Sequence, residues 1–240
     1  MNKILFVDCC ARRNSRTKIL AERLLSHLDG EITRLELYSE DIKPIDADGI
    51  ARRDKGDCDI LKYARQLSDA DEVVVAAPYW DLSFPSLLKV WLEQTSVVGV
   101  TFTYDEQGVP VGLCRAKRAY YVTTAGGPIF DRSFGSGYVK ALFSMFGINE
   151  FHEFSAENLD VEGADTEKIL TEAKDKIDAS FKKPNEDGHR NFLFLKQTKT
   201  LDTLKEHGAI SDAQYDISYN GLVTKMHITQ NELKEWTEKK

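Results

Sequence analysis

The chain has 240 residues, of which 42% are hydrophobic and 30% are charged, and its formal net charge at pH 7 is −7. These values are ordinary for a globular protein and allow one large domain with an appendage. The acidic balance argues against a nucleic-acid partner, because binding phosphates needs a positive surface. No apolar run approaches the roughly 20 residues of a membrane span, and the start MNKILFVDCC lacks a signal-peptide pattern, so we expect a cytoplasmic protein.

The sequence predicts five strands that alternate with five helices. Buried strands are predicted at KILFVD (3–8), ITRLEL (32–37), residues 72–78, AYYVTTAG (119–126) and FHEFSAE (151–157). Apolar residues at helical spacing predict helices near residues 20–28, 60–67, 84–97, 139–146 and 169–177.

Five βα units in succession predict a parallel sheet with helices on both faces, which is an α/β fold. Five strands fit the doubly wound, flavodoxin-like order 2-1-3-4-5 better than a six-stranded Rossmann sheet. One stretch interrupts the pattern, because GVTFTYDEQGVPVGL (99–113) alternates around DEQG and predicts an inserted β-hairpin. We expect this hairpin to cover a substrate pocket or to reach a second subunit.

The alternation of strands and helices ends at the polar stretch FKKPNEDGH (181–189), which we interpret as a linker. The predicted domains are therefore a flavodoxin-like domain at 1–183 and a linker with a small helical module at 184–240. The module is predicted to contain two short helices, the second opening with a capping box in SDAQ (211–214).

The four cysteines lie at positions 9, 10, 58 and 114, without CxxC or Cys/His zinc spacing. Since a cytosolic setting favours free thiols, we interpret Cys9 and Cys10 as packed thiols, with a redox role as the less favoured alternative. The five histidines are scattered, and no metal site is predicted.

Three loops are predicted to meet at the carboxyl edge of the sheet, where ligands bind in open α/β folds. DCCARRNSR leads into a helix capped by Asn14 or Ser15, whose free N–H groups make an anion site. PYWDLSFP offers an apolar wall, and the paired glycines of TTAGGP let backbone approach a flat ring. Each loop alone is also typical of capping, core packing or a turn, but together they fit flavin mononucleotide (FMN). Walker, GxGxxG and GxSxG patterns are absent.

The segments APYWDLSFPSLLKVWLEQTSVVGVTFTYDEQGVPVGL, YVTTAGGP and GYVKALFSMFGI resemble the FMN-dependent NADH:quinone oxidoreductases, also called FMN-dependent NADH-azoreductases. The similarity covers residues 1–180 and is most specific from Ala77 to Leu113. It implies an FMN cofactor, NADH or NADPH as co-substrate, a quinone or azo acceptor, and a homodimer with its active site at the interface. A weaker resemblance links the C-terminal segment to the helical-hairpin modules called SHOCT domains.

The resemblance also assigns individual flavin contacts. The residues implied to bind the phosphate are Cys9 or Cys10, Ser15, Arg16 and Thr17. The residues implied to line the flavin are Pro78, Tyr79, Trp80, Asp81, Leu82, Thr124, Ala125, Gly126 and Gly127. The Cys9-Cys10 pair replaces a usual serine, and Asp81 replaces a common asparagine. Because a carboxylate beside a reduced flavin is unfavourable, we expect Asp81 to contact the ring through its backbone N–H.

The enzymatic interpretation is a two-electron, two-stage reaction in which NADH reduces the flavin and the acceptor then takes the hydride. The cofactor carries this chemistry, so no catalytic side chain is required. The alternatives are a flavodoxin-type one-electron carrier and a scaffold acting through the C-terminal module. Rapid reduction of bound flavin by NADH alone separates the enzyme from both.

Overall fold

A computed structural model describes residues 1–131, 134–181, 186–229 and 232–233. The chain forms two compact units, Met1–Phe181 and Lys182–Lys240. The boundary predicted between residues 183 and 184 lies outside the described residues and stays a prediction.

The strands of the first unit confirm the predicted fold class. They are β1 (Lys3–Asp8), β2 (Glu31–Glu36), β3 (Glu72–Ala76), β4 (Phe102–Tyr104), β5 (Pro110–Gly112), β6 (Arg118–Thr124) and β7 (Glu150–Ala156). Five of them form a parallel sheet in the order β2-β1-β3-β6-β7, which is the predicted 2-1-3-4-5 order once the hairpin strands are left out. The strands β4 and β5 pair antiparallel as the expected hairpin.

Six helices of the first unit accompany this sheet. They are α1 (Arg16–Leu25), α2 (Ala47–Asp54), α3 (Lys62–Ser68), α4 (Ser86–Thr95), α5 (Phe134–Met145) and α6 (Thr166–Phe181). The helix α2, whose only buried residue is Gly49, was not predicted from the sequence. This helix has only eight residues, ADGIARRD, and Ile50 is its one large apolar residue, which is too short a pattern to identify a helix.

Alternate side chains of the strands fill two hydrophobic clusters, one on each face of the sheet. Val7 joins Trp91 and Phe143 on the face covered by α4 and α5. Phe6 joins Leu24 on the face covered by α1 and α6. The sheet is thus covered on both faces, and its carboxyl edge is left to the loops.

The hairpin lies at the other edge of the sheet. A Cβ on Gly112 would lie 2.1 Å from the backbone nitrogen of Gly147, so β5 packs directly on the turn that follows α5. The ring centroids of Phe102 and Phe146 are 6.0 Å apart. Because α5 starts after the carboxyl end of β6 and runs back to the start of β7, this turn is at the amino-terminal edge. The expectation that the hairpin covers the ligand loops is therefore wrong within one chain, whereas its contact with a second subunit stays a prediction.

The second unit contains α7 (Glu186–Glu206) and α8 (Asp212–Lys225). The expectation of two short helices is wrong for α7, which has 21 residues and begins inside the predicted linker. The capping box is confirmed, since the Ser211 side chain accepts from the Gln214 N–H and the Gln214 side chain accepts from the Ser211 N–H. Between the helices, the Tyr215 hydroxyl donates to Asp202 at 2.6 Å. The SHOCT-like resemblance stays a prediction.

Among the described residues, no helix combines the length and the apolar character needed to cross a bilayer.

Candidate functional site

A cleft of about 230 Å³ opens at the carboxyl edge of the sheet, where the loops after β1, β3 and β6 converge. Its lining consists of Ala11, Arg12, Asn14, Ser15, Arg16, Thr17, Pro78, Tyr79, Trp80, Thr124, Ala125, Gly126 and Asp160. Of the predicted flavin contacts, Cys9, Cys10, Asp81, Leu82 and Gly127 are outside this lining. The three loops selected from the sequence do form one cleft.

The start of α1 supplies an anion site within the cleft. Ser15 is the N-cap, and its side chain accepts from the Lys18 N–H at 3.3 Å. The backbone N–H groups of Arg16 and Thr17 occupy the first helical positions, which have no acceptor within a helix. Free donors at the positive end of the helix dipole favour a phosphate.

A buried pair of hydroxyls joins this helix to the end of β6. The Oγ1 atoms of Thr17 and Thr124 lie 2.6 Å apart, and the two residues are 0% and 8% exposed. One hydroxyl donates to the other, so one of the two protons remains to be given elsewhere. Both residues line the cleft, where an anionic oxygen would accept that proton.

The basic residues of the first loop have different partners. Lys18 Nζ lies 2.7 Å from the buried Asp8 carboxylate and 2.9 Å from Glu36, and hydrogen bonds to these acids raise the pKa of Lys18. Arg12 and Arg13 are exposed and make no ion pair within the part of the chain that the structure describes. Of these two, Arg12 lines the cleft, and it is therefore available to a ligand.

Neither of the adjacent cysteines lines the cleft. The Cys9 side chain is 0% exposed within the core, and burial raises the pKa of its thiol to about 12. The half-buried Cys10 thiol lies 3.8 Å from the Ala76 carbonyl, and burial raises its pKa as well. Both are free thiols, as the sequence favoured. Since Cys9 packs in the core, its thiol cannot reach a ligand in the cleft.

The aromatic loop after β3 makes a tight turn. Trp80 N–H donates to the Ser83 carbonyl at 3.1 Å, and Ser83 N–H donates back to Trp80 at 2.8 Å. The residues between them, Asp81 and Leu82, have φ values of 49° and 68°. Positive φ at both central positions is typical of a type I′ turn, and it costs roughly 1–2 kcal/mol per non-glycine residue. Strain of this kind concentrates at ligand sites.

The backbone of this turn is open to a ligand. Neither the Asp81 N–H nor the Leu82 N–H donates to any group in the described residues. The Trp80 side chain beside them is 39% exposed, which fits the expectation that it has no core position. The turn therefore presents two amide donors next to an aromatic wall.

The loop after β7 completes the cleft through Asp160 and was not predicted from the sequence. Its residues Asn158, Leu159 and Asp160 donate their backbone N–H groups to the carbonyls of Gly127, Ala125 and Gly126, at 3.3, 3.2 and 2.9 Å. The only signal for this loop was its place after the carboxyl end of a strand beside β6, because its sequence, AENLD, has no binding motif.

The paired glycines have different surroundings. A Cβ on Gly126 would lie 2.5 Å from Asp160 Oδ2, so a larger residue there would displace the Asp160 side chain. A Cβ on Gly127 would meet no described atom within 4 Å. Only Gly127 therefore leaves open space of the kind that a flat ligand would use.

Relatives of the chain are found by sequence. The flavodoxin-like fold family matches residues 2–181. The FMN-dependent NADH:quinone oxidoreductase of Clostridium beijerinckii is 36% identical over 191 residues, which are 73% of this chain and 96% of the relative. The FMN-dependent NADH:quinone oxidoreductase 2 of Clostridium acetobutylicum is 36% identical over 187 residues, covering 71% and 93% of the two chains.

Solved structures share the fold of this chain. An azoreductase from Bacillus anthracis superposes with a TM-score of 0.67 at 24% identity, covering 75% of this chain and 99% of the other. An FMN-dependent NADH-azoreductase from the same organism, solved in complex with FMN, has a TM-score of 0.66 at 20% identity, with coverage of 75% and 98%. The family match and the sequence relatives confirm the resemblance drawn from the sequence motifs of residues 1–180. The chain belongs to the flavodoxin-like family, together with relatives that are FMN-dependent NADH:quinone oxidoreductases.

Proposed function

We propose that this protein is an FMN-dependent NADH oxidoreductase that reduces quinones or azo compounds. The observation that carries the proposal is the single cleft in which an anion site, an aromatic wall and exposed backbone donors come together. These features suit the phosphate and the ring of FMN, and the relatives carry the same cofactor in their names.

The phosphate end of the flavin belongs at the start of α1. The N–H groups of Arg16 and Thr17, with the hydroxyls of Thr17 and Thr124, would hold its oxygens. Charge-assisted bonds to such donors are worth roughly 1.5–3 kcal/mol each. Arg12 would add a cation, since no described acid neutralises it.

The ring belongs beside the turn after β3. Pro78, Tyr79 and Trp80 form the wall that excludes water, while the N–H groups of Asp81 and Leu82 would donate to the polar edge of the ring. Leu82, Thr124, Ala125 and Gly127 complete the proposed contacts. When bound, FMN would accept a hydride from NADH and pass it to the quinone or azo acceptor. The residues of this chain bind, orient and shield the reactants, and we assign no catalytic side chain.

We further propose that the protein works as a cytoplasmic homodimer. The hairpin exposes Tyr104, Val109, Val111 and Leu113, each more than 40% accessible. This apolar surface is remote from the cleft of its own chain, and contact with a second copy would bury it. The four free thiols suit a reducing compartment.

The flavin content of the purified protein tests the proposal. We expect a yellow protein that releases one FMN per chain on denaturation, identified by chromatography against FMN, FAD and riboflavin. A colourless protein that fails to take up added FMN would contradict the proposal. Sedimentation of the yellow protein tests the dimer separately, because a fully active monomer is incompatible with an interface active site.

A further inference from the structure

The guanidinium of Arg16 is held by the loop after β7. Its Nη2 atom donates to Asp160 Oδ1 at 2.7 Å, and its Nη1 atom donates to the Leu159 carbonyl at 3.1 Å. Both acceptors belong to one short segment, so the planar fork of the arginine is fixed at two points. Arg16 and Asp160 both line the cleft.

The same segment is itself fixed to the end of β6. Asp160 N–H donates to the Gly126 carbonyl at 2.9 Å. The Asp160 side chain lies so close to Gly126 that a Cβ there would be 3.2 Å from the Asp160 Cβ and 2.5 Å from its Oδ2. The carboxylate therefore has a defined place, and Gly126 provides the space for it.

We propose that Asp160 is a positioning residue for the phosphate of the flavin, acting through Arg16. This inference rests on the proposed function and adds a fourth loop to the site. In this proposal the Arg16 guanidinium contacts the phosphate in addition to the N–H groups and Arg12, and Asp160 holds that guanidinium in the cleft before the ligand arrives. Asp160 itself makes no contact with the phosphate, because two anions repel each other.

The contribution of Asp160 to FMN affinity comes from its immobilisation of the Arg16 side chain before binding. A long side chain that is free before binding must be immobilised on binding, which weakens affinity by roughly three- to tenfold. Removing the carboxylate also removes its repulsion of the flavin phosphate. This repulsion is weak, because the Asp160 side chain is 63% exposed and solvent screens its charge. The loss of positioning is therefore the larger effect, and truncation of Asp160 weakens binding.

Comparison of FMN with riboflavin isolates this effect, because riboflavin has the same ring without the phosphate. The full-length protein is stripped of flavin, and dissociation constants for both compounds are measured by flavin fluorescence. The variants are Asp160→Ala, Asp160→Asn, Arg16→Ala and the double variant Arg16→Ala/Asp160→Ala. The matched control is Glu150→Ala, which breaks the exposed Arg118–Glu150 pair at the opposite edge of the sheet.

We expect Asp160→Ala to weaken FMN binding by about three- to tenfold while riboflavin binding stays unchanged. Asp160→Asn keeps an oxygen acceptor for Arg16 and should recover most of the affinity. The double variant should bind FMN no more weakly than Arg16→Ala, because Asp160 acts through that residue. Glu150→Ala should bind both compounds normally.

Three results would overturn the inference while leaving the proposed function intact. Equal losses for FMN and riboflavin would make Asp160 part of the fold only. Tighter FMN binding by Asp160→Ala would make the carboxylate a competitor for Arg16, and unchanged FMN binding would make it irrelevant. If the unaltered protein binds neither flavin, the proposed function fails, and the inference fails with it.

Discussion

The Oγ1 atoms of Thr17 and Thr124 lie 2.6 Å apart in the interior, joining the helix after β1 to the end of β6. Replacing one partner with valine leaves a buried hydroxyl unpaired, which costs roughly 1–3 kcal/mol of stability. Replacing both should restore much of that stability, because no polar group is then left without a partner.

Binding of FMN should not follow the same pattern. The proton that this pair does not use is the one we assign to the phosphate, so Thr17→Val/Thr124→Val should stay about tenfold weaker for FMN, as expected for one lost hydrogen bond. Urea denaturation and FMN titration of the single and double variants measure the two effects. Affinity that recovers together with stability would show that the hydroxyls serve the fold alone.

Trp80 should affect the reaction without supporting the fold. Its side chain is 39% exposed, so Trp80→Ala should leave the unfolding temperature nearly unchanged while altering the flavin spectrum and the KM for the acceptor. Trp91→Ala is the matched control, because Trp91 is 0% exposed and its truncation should cost about 3–5 kcal/mol. A loss of stability in Trp80→Ala with normal specific activity would place Trp80 in the structural core instead.

Asp81 should lower the reduction potential of bound FMN. Its backbone N–H lies in the turn that we assign to the ring, so we expect its exposed carboxylate to lie near bound FMN. Negative charge there would oppose formation of a reduced, anionic flavin. Asp81→Asn should therefore raise the potential by roughly 20–30 mV, which corresponds to about 1 kcal/mol for two electrons. Glu172→Gln, which removes an exposed carboxylate from α6, is the control and should leave the potential unchanged. An unchanged potential in Asp81→Asn would place this side chain away from the ring.

Acid should weaken the contact between α1 and α6. Arg23 donates twice to Asp178, at 2.7 and 2.6 Å, and His27 Nε2 lies 2.7 Å from the same carboxylate. The hydrogen bonds from Arg23, and next from His27, lower the pKa of Asp178 from 3.8 to about 2. Because the folded pKa is below the unfolded one, this carboxylate stabilises the protein above about pH 4, and the contribution is lost as the pH falls towards 2.

The Asp178→Asn variant should therefore be less stable than the unaltered protein at neutral pH. Its stability should also fall less steeply as the pH is lowered. Urea midpoints measured at about pH 6 and about pH 3 test this. Asp54→Asn is the control, since Asp54 makes no ion pair in the described residues. Parallel pH profiles for the unaltered protein and Asp178→Asn would assign the acid sensitivity to other groups.

The C-terminal unit should be separable from the chemistry. Every residue of the cleft lies within Met1–Phe181, so a chain ending at residue 183 should retain FMN and NADH-dependent activity. Flavin content after gel filtration measures this. A truncated protein that folds but has lost its flavin would place part of the tail in the active site.

The strands and the three ligand loops were predictable because their sequences carry strong local signals. Val73, Val74 and Val75 form an apolar run of strand length, and Trp80 and Gly127 are conspicuous in loops. The order of the sheet followed from the number of βα units and from the rules of connection.

Features that depend on tertiary neighbours were not predictable. Asp160 is an ordinary acidic residue until the fold places it against Arg16 and Gly126. The position of the hairpin depends on where α5 ends, which the pattern around DEQG does not reveal. Cys9 and Cys10 follow the end of β1 and pack against different hydrophobic clusters, and nothing in the sequence distinguishes the buried thiol from the half-buried one.

Anaerobic mixing of the yellow protein with NADH tests the central claim most directly. If the protein is an FMN-dependent NADH oxidoreductase, NADH alone should bleach the bound flavin near 450 nm at least as fast as steady-state turnover, and a quinone added afterwards should restore the absorbance. Flavin that stays oxidised in the presence of NADH, but accepts electrons from a chemical reductant, would contradict the account and identify a carrier or a scaffold.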